Sequence, residues 1–317
     1  FSSRRRHTRY ISVTGVQTCA LPIYADARRL TVAFALIVAL MVAEVVVGVL
    51  AHSLALLSDA AHMLTDAAAL AMSLVVLRLM RRPAAGNLTF GFRRAEILSA
   101  QANGGTLLVL ALLIVYEGVS RLVTPPAAEG KAILAVALLG VVINLAATWQ
   151  LAKANRESMN IEGSFQHLLT DLAAFVFTAI AGAAIITTGF TRADGIASLI
   201  IAAIMLRAAY GLLRDSGRVL LEAAPEGMDA DAIGRALAAQ PGVVSIHDLH
   251  LWSIGSGFPA LSAHVLVGSD DDCHAIRRAL EHMLDHDYGI DHTTLQVDHS
   301  TAGRLMSIGT ERSHHHH

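Results

Sequence analysis

Two short segments each place a histidine and an aspartate four residues apart in apolar surroundings: His62 and Asp66 in HSLALLSDAAHMLTD, His167 and Asp171 in SFQHLLTD. On a helix that spacing puts both side chains on one face. Imidazole nitrogens and carboxylate oxygens are donors that a tetrahedral Zn2+ takes, and two carboxylates neutralise a divalent charge. At about 100° per residue, His52, Asp59, His62 and Asp66 fall within an arc of about 80°. Asn160, Ser164 and Thr178 project within about 60° of the face that carries His167 and Asp171. A charged side chain at the centre of a bilayer costs about 2.5–3.5 kcal/mol. Such stripes must face protein or water. A single His-x-x-x-Asp is equally a structural pair, but two copies on two spanning segments point to metal ligation. If the segments run in opposite senses, their four side chains meet at similar depth. Asp59, His52 and Asn144 are path-lining candidates, with simple packing the favoured reading for His52. Glu44, Asn103 and Glu117, like Asn144, either line a path or bridge helices by hydrogen bonds.

The elements that must position these groups are legible in the composition. Of 317 residues, 54% are hydrophobic and only 16% charged, against about a quarter charged in a soluble domain. The deficit is concentrated between about residues 30 and 215. A spanning helix needs about 20 mostly apolar residues, and six such segments are predicted: 30–50, 55–79, 95–121, 131–152, 164–188 and 194–214. Pro83, Gly86 and Asn87 break the chain after the second, and Pro125 and Pro126 after the third. Arg28, Arg29, Arg78, Arg81, Arg82, Arg93, Arg94, Lys153, Arg156, Arg214 and Arg218 flank one set of loops, whereas the opposite set holds only Arg121, Lys131 and Arg192. The positive-inside rule then predicts cytoplasmic termini.

From about residue 223 the sequence becomes that of a soluble domain. A helix at 229–240, strands at 243–254 and 260–267, a helix at 271–286 and a strand at 292–298 give an αββαβ order. The predicted fold class is therefore a membrane all-α six-helix bundle plus a small cytoplasmic α+β domain of ferredoxin-like kind. The expected domains are 24–218 for transport and 223–302 for metal binding and dimerisation. Residues 1–23 are set aside as a non-native or disordered segment, residues 303–317 as a disordered tail, and the terminal histidine run is given no role. Cys19 and Cys273 alone imply no disulfide framework, and a net charge of -2 offers no argument for nucleic acid. No Gly-x-x-x-x-Gly-Lys phosphate loop and no His-Glu-x-x-His hydrolase motif occurs. The chain is expected to be no enzyme and to draw on an ion gradient.

SLALLSDAAHMLTDAAAL, FGFRRAEILSAQANG, SFQHLLTDLA and HDLHLWSIGSG together resemble the cation diffusion facilitator family over residues 30–300. The resemblance implies a homodimer in a bacterial inner membrane that exports Zn2+, or a similar divalent cation, against entering protons. It implies a transport site of His62, Asp66, His167 and Asp171. It also implies further zinc in the cytoplasmic domain, as a regulatory ligand, at His247, His264, His274 and Asp298, with His250 nearby. Gln296 stands where some members carry a ligating histidine, which puts that second site in doubt. Arg94 and Glu222 match a charge interlock of the family. The short connection at 153–163 has no histidine-rich run and so no loop-borne metal reservoir. The alternative reading is a membrane-anchored metal sensor without transport.

Overall fold

The structure, a computed structural model, describes residues 20–50, 54–124 and 130–300, and their side chains except for 20–25, 47–48, 50, 54–62 and 130–133. Of the set-aside N-terminal residues 1–23, residues 1–19 lie outside the described residues, as do His52 and the tail from 301, while residues 20–23 form the first turn of a helix. The chain divides into two compact units, one running to Leu220 together with Gly255–Gly257, and one made of Leu221–Ile254 with the residues from Phe258 onward.

The first unit is six helices: α1 Ala20–Leu50, α2 Leu54–Met80, α3 Ala95–Val123, α4 Gly130–Ala152, α5 Met159–Thr188 and α6 Ala193–Leu220. All six are long and apolar enough to cross a membrane. Helix α5 begins five residues before the predicted start and α6 continues six residues past its predicted end. The apolar run stops where the bilayer stops, but the backbone hydrogen-bond ladder continues into polar sequence such as Met159–Gly163. Ser158, in extended conformation, ends that ladder.

Helices α1, α2, α4 and α5 share a core of Leu30, Ile37, Leu70, Leu77, Leu151 and Leu168. Helices α3 and α6 pack on each other through Leu107, Ala111, Ile201 and Met205. Meanwhile Leu112, Val142, Leu145 and Ile180 point outward and are exposed. Outward leucine, valine and isoleucine on every side suit lipid rather than water. Small residues set the closest approaches, as expected where packing rather than hydrophobicity joins helices. A Cβ on Gly140 of α4 would lie 2.2 Å from the Phe175 ring of α5. One on Gly104 would lie 3.1 Å from the side chains of Leu212 and Leu213, whereas Gly105 faces open space. At the end of α4 the Lys153 ammonium sits 3.1 Å from the centre of the exposed Trp149 ring, a cation–π pair of the kind that anchors helix ends at a membrane interface.

The second unit holds α7 Ala230–Ala238, β1 Val243–Gly255, β2 Phe258–Val267, α8 Cys273–Tyr288 and β3 His292–His299. The sheet order is β1-β2-β3, with β3 parallel to β2. Ile233, Leu237, Leu251, Val265, Leu280 and Leu284 fill its core. Both helices start on an aspartate whose carboxylate accepts two backbone N–H groups, Asp229 for α7 and Asp272 for α8. The observed order is the predicted αββαβ.

Candidate metal centre

The face of α2 that carries Asp66 meets the face of α5 that carries His167. Their contacts run in opposite order along the chain: Asp66 meets His167, and Ser73 meets Ser164 and Asn160. The two helices are therefore antiparallel, and that is what brings groups about 100 residues apart to one depth. His167 Nε2 lies 2.8 Å from Asp66 Oδ1 and 3.8 Å from Asp171 Oδ2. One ligand atom from each of the three lies within 4.8 Å of the others, and among the described residues no other trio of His, Cys, Asp or Glu does so. The side chain of His62, one turn from Asp66 on α2, lies outside the described residues, as does that of Asp59.

Burial makes this arrangement costly without a purpose. His167 is 1% exposed and Asp66 6%. His167 Nδ1 and Asp171 Oδ2 are buried and have no hydrogen-bond partner among the described residues. Buried polar atoms are normally satisfied, so open acceptors beside two carboxylates fit a cation. At 2.8 Å the His167–Asp66 contact is a proton-bridged hydrogen bond. An ion ligated by the same two atoms must displace that proton. The backbone of α5 at this level is steadied from α4 by the Thr148 hydroxyl, which donates to the Leu168 carbonyl at 3.4 Å.

Other predicted groups fall out differently. Asn144 is buried, but its amide donates to the Gly140 carbonyl one turn back in its own helix at 3.2 Å. Glu117 pairs with Arg121, which also binds Asp194 and so ties α3 to α6. Asn103 and Glu44 are buried. Arg94 is exposed at the start of α3, and Glu222 is exposed in the second unit with φ 57. In the second unit the His247 and His264 rings lie 5.3 Å apart. His264 stands opposite Gln296 across the β2–β3 pair, and Gln296 donates to Asp298 at 2.9 Å. His274 and His250 are exposed. Ser73, like Thr148, is an inward polar residue that the sequence pattern leaves unmarked as part of the site. Its signal was its position, seven residues beyond Asp66 and hence on the same face.

Residues 30–221 match the family model of the cation efflux transmembrane domain, and residues 225–300 match that of the cation efflux protein cytoplasmic domain. The chain belongs to the cation diffusion facilitator family. It is 36% identical over 304 residues to the cadmium, cobalt and zinc/H(+)-K(+) antiporter of Bacillus subtilis, covering 92% of this chain and 97% of that one. It is 38% identical to the zinc transporter ZitB of Escherichia coli, covering 94% and 96%. It is 39% identical to the metal cation efflux system protein CzcD of Cupriavidus metallidurans, covering 86% of each. This cation diffusion facilitator is thus a multi-pass membrane protein with a cytoplasmic-type domain at its C-terminal side.

Proposed function

We propose that this facilitator is a secondary transporter that exports Zn2+, or a similar divalent cation, from the cytoplasm in exchange for protons. The observation that carries the reading is the buried convergence of Asp66, His167 and Asp171 between two antiparallel spanning helices. His62, one turn from Asp66, supplies the fourth ligand and completes a two-imidazole, two-carboxylate shell. The proton held between His167 and Asp66 leaves as metal enters, and its return expels the metal. Imidazole ligates only when neutral, so an acidic outer side unloads zinc and a neutral inner side loads it. The proton gradient supplies the energy.

Both termini lie in the cytoplasm of a bacterial inner membrane on this reading, and two copies form a dimer through the second unit. His247 and His264, with His274 and Asp298, form its regulatory zinc site, and Arg94 and Glu222 its interlock. The names of the three relatives support metal transport, that of the Cupriavidus metallidurans relative supports efflux, and that of the Bacillus subtilis relative supports proton exchange. A metal sensor anchored by inert helices has no need of carboxylates buried in them.

The deciding experiment is uptake of Zn2+, Cd2+, Co2+ and Ni2+ into inside-out vesicles with and without a pH gradient. Zinc uptake that rises with an acidic vesicle interior and collapses with the gradient is expected. Zinc binding with no flux in either condition would leave the sensor.

A further inference from the structure

Between the metal centre and the ends of α2 and α5 that join the Arg-rich loops, three buried side chains tie the two helices together. Asn160 Nδ2 donates to the Ser73 carbonyl at 3.0 Å, the Ser73 and Ser164 hydroxyls lie 2.8 Å apart, and Ser164 Oγ lies 3.1 Å from the Asn160 carbonyl. Each hydroxyl has one proton to give. The count closes if Ser73 donates to Ser164, Ser164 to the Asn160 carbonyl, and the Asn160 amide back to the Ser73 carbonyl. The result is a ring of three hydrogen bonds in which each hydroxyl donates once. All three side chains are inaccessible to solvent or within 1% of it.

The ring stands in the line of passage. Ser73 follows Asp66 by seven residues, and Ser164 and Asn160 precede His167 by three and seven, so all lie on the faces that carry the ligands. An ion moving along the α2–α5 seam from the Arg-rich end meets these groups before it meets His167. The lining is also more polar than a seal requires. The side-chain oxygen of Asn160 is buried with no hydrogen-bond partner among the described residues, and so is that of Asn103 of α3, whose amide lies beside Gly163 of α5. Leucine would close the same seam with no orphaned acceptors, whereas surplus oxygens suit a hydrated cation once the helices part. Hydrogen bonds between membrane helices are individually weak, which suits a latch that opens in each cycle.

Resting on the transport reading above, we propose that the Ser73–Ser164–Asn160 ring is the cytoplasmic gate, closed here, and that α2 and α5 separate at it to admit the metal.

The test uses the full chain with Cys19 and Cys273 replaced by serine, carrying S73C and S164C. The γ-atoms already lie 2.8 Å apart, close enough for a bond of about 2.05 Å. Under reducing conditions inside-out vesicles should take up zinc. Oxidation should cut uptake about tenfold or more, a change typical of losing a coupled state, and dithiothreitol should restore it. Failure of the disulfide to form, or unchanged uptake by the cross-linked protein, would overturn the gate while leaving transport intact. Loss of flux in the parent chain would instead strike the transport reading. As a second measure, Ser73→Ala and Asn160→Ala each remove one bond from the closed state. Each should lower the half-saturating zinc concentration about threefold. A mere tether between helices would leave that concentration unchanged and lower only the yield of folded protein.

Discussion

Asp66 and Asp171 stand in different relations to the one imidazole between them. Asp66 is in hydrogen-bond contact with His167 Nε2, and Asp171 is a further ångström away, its Oδ2 buried with no hydrogen-bond partner among the described residues. As ligands on one ion they would be equivalent, so each is needed for flux. Asp66→Ala and Asp171→Ala should each lower zinc uptake by more than the roughly 100-fold at the upper end for an outer-shell partner. Protein in the membrane should be unchanged, as measured by immunoblot beside metal uptake. Retained uptake in both variants would refute the site. At the neighbouring position, His62→Asp replaces nitrogen by oxygen, a donor that suits harder ions. It should raise Mn2+ uptake relative to Zn2+ in a competition assay.

Among elements, helix contact decides more than helix propensity does. Gly140 leaves the space that the Phe175 ring occupies, so α4 and α5 can carry Thr148 up to the backbone beside His167. Gly140→Ala places a methyl inside that ring and should destabilise the helical unit by about 1–3 kcal/mol. The measurement is the thermal midpoint in detergent. Phe175→Leu in the same chain should recover part of the loss, and no change in midpoint would count against this packing. In the second unit, α8 depends on its cap. The Asp272 carboxylate accepts from the backbone N–H groups of Ala275 and His274, which hold its pKa below the ordinary aspartate value. A depressed carboxyl stabilises the folded state above its unfolded pKa, and that contribution is lost as pH falls through the folded one. Asp272→Ala should therefore lower the melting temperature of this unit by a few degrees at pH 7, and the difference from the parent should vanish in acid. Asp272→Asn should keep most of the stability, since an amide oxygen still caps.

For the whole molecule, the proposed orientation, which follows the arginine bias, puts the loops near residue 86, residue 155 and residue 222 in the cytoplasm and the loop near residue 190 outside. Single cysteines at Ala85 and Phe190 should react with an impermeant maleimide from opposite faces in intact cells and inside-out vesicles. Labelling of both from one face would invert or break the topology.

Six apolar runs, the αββαβ tail and both His-x-x-x-Asp pairs were legible because periodicity and hydropathy are local properties. Helix ends were not: α5 begins at Met159 and α6 reaches Leu220 because hydrogen bonding carries a helix past the membrane edge. Nor does the sequence separate Gly104 from its neighbour Gly105: only Gly104 meets another helix, since the facing helix α6 exists only in three dimensions. The sequence by itself therefore determined which side chains could hold a cation and which face of each helix carries them. Only the tertiary structure decided that α2 and α5 are antiparallel at a register joining Asp66 to His167, and that Ser73 closes on Asn160 and Ser164 beneath them. Register between helices distant in the chain is set by packing of residues such as Leu70, Phe165 and Leu168, and no local pattern encodes that sum.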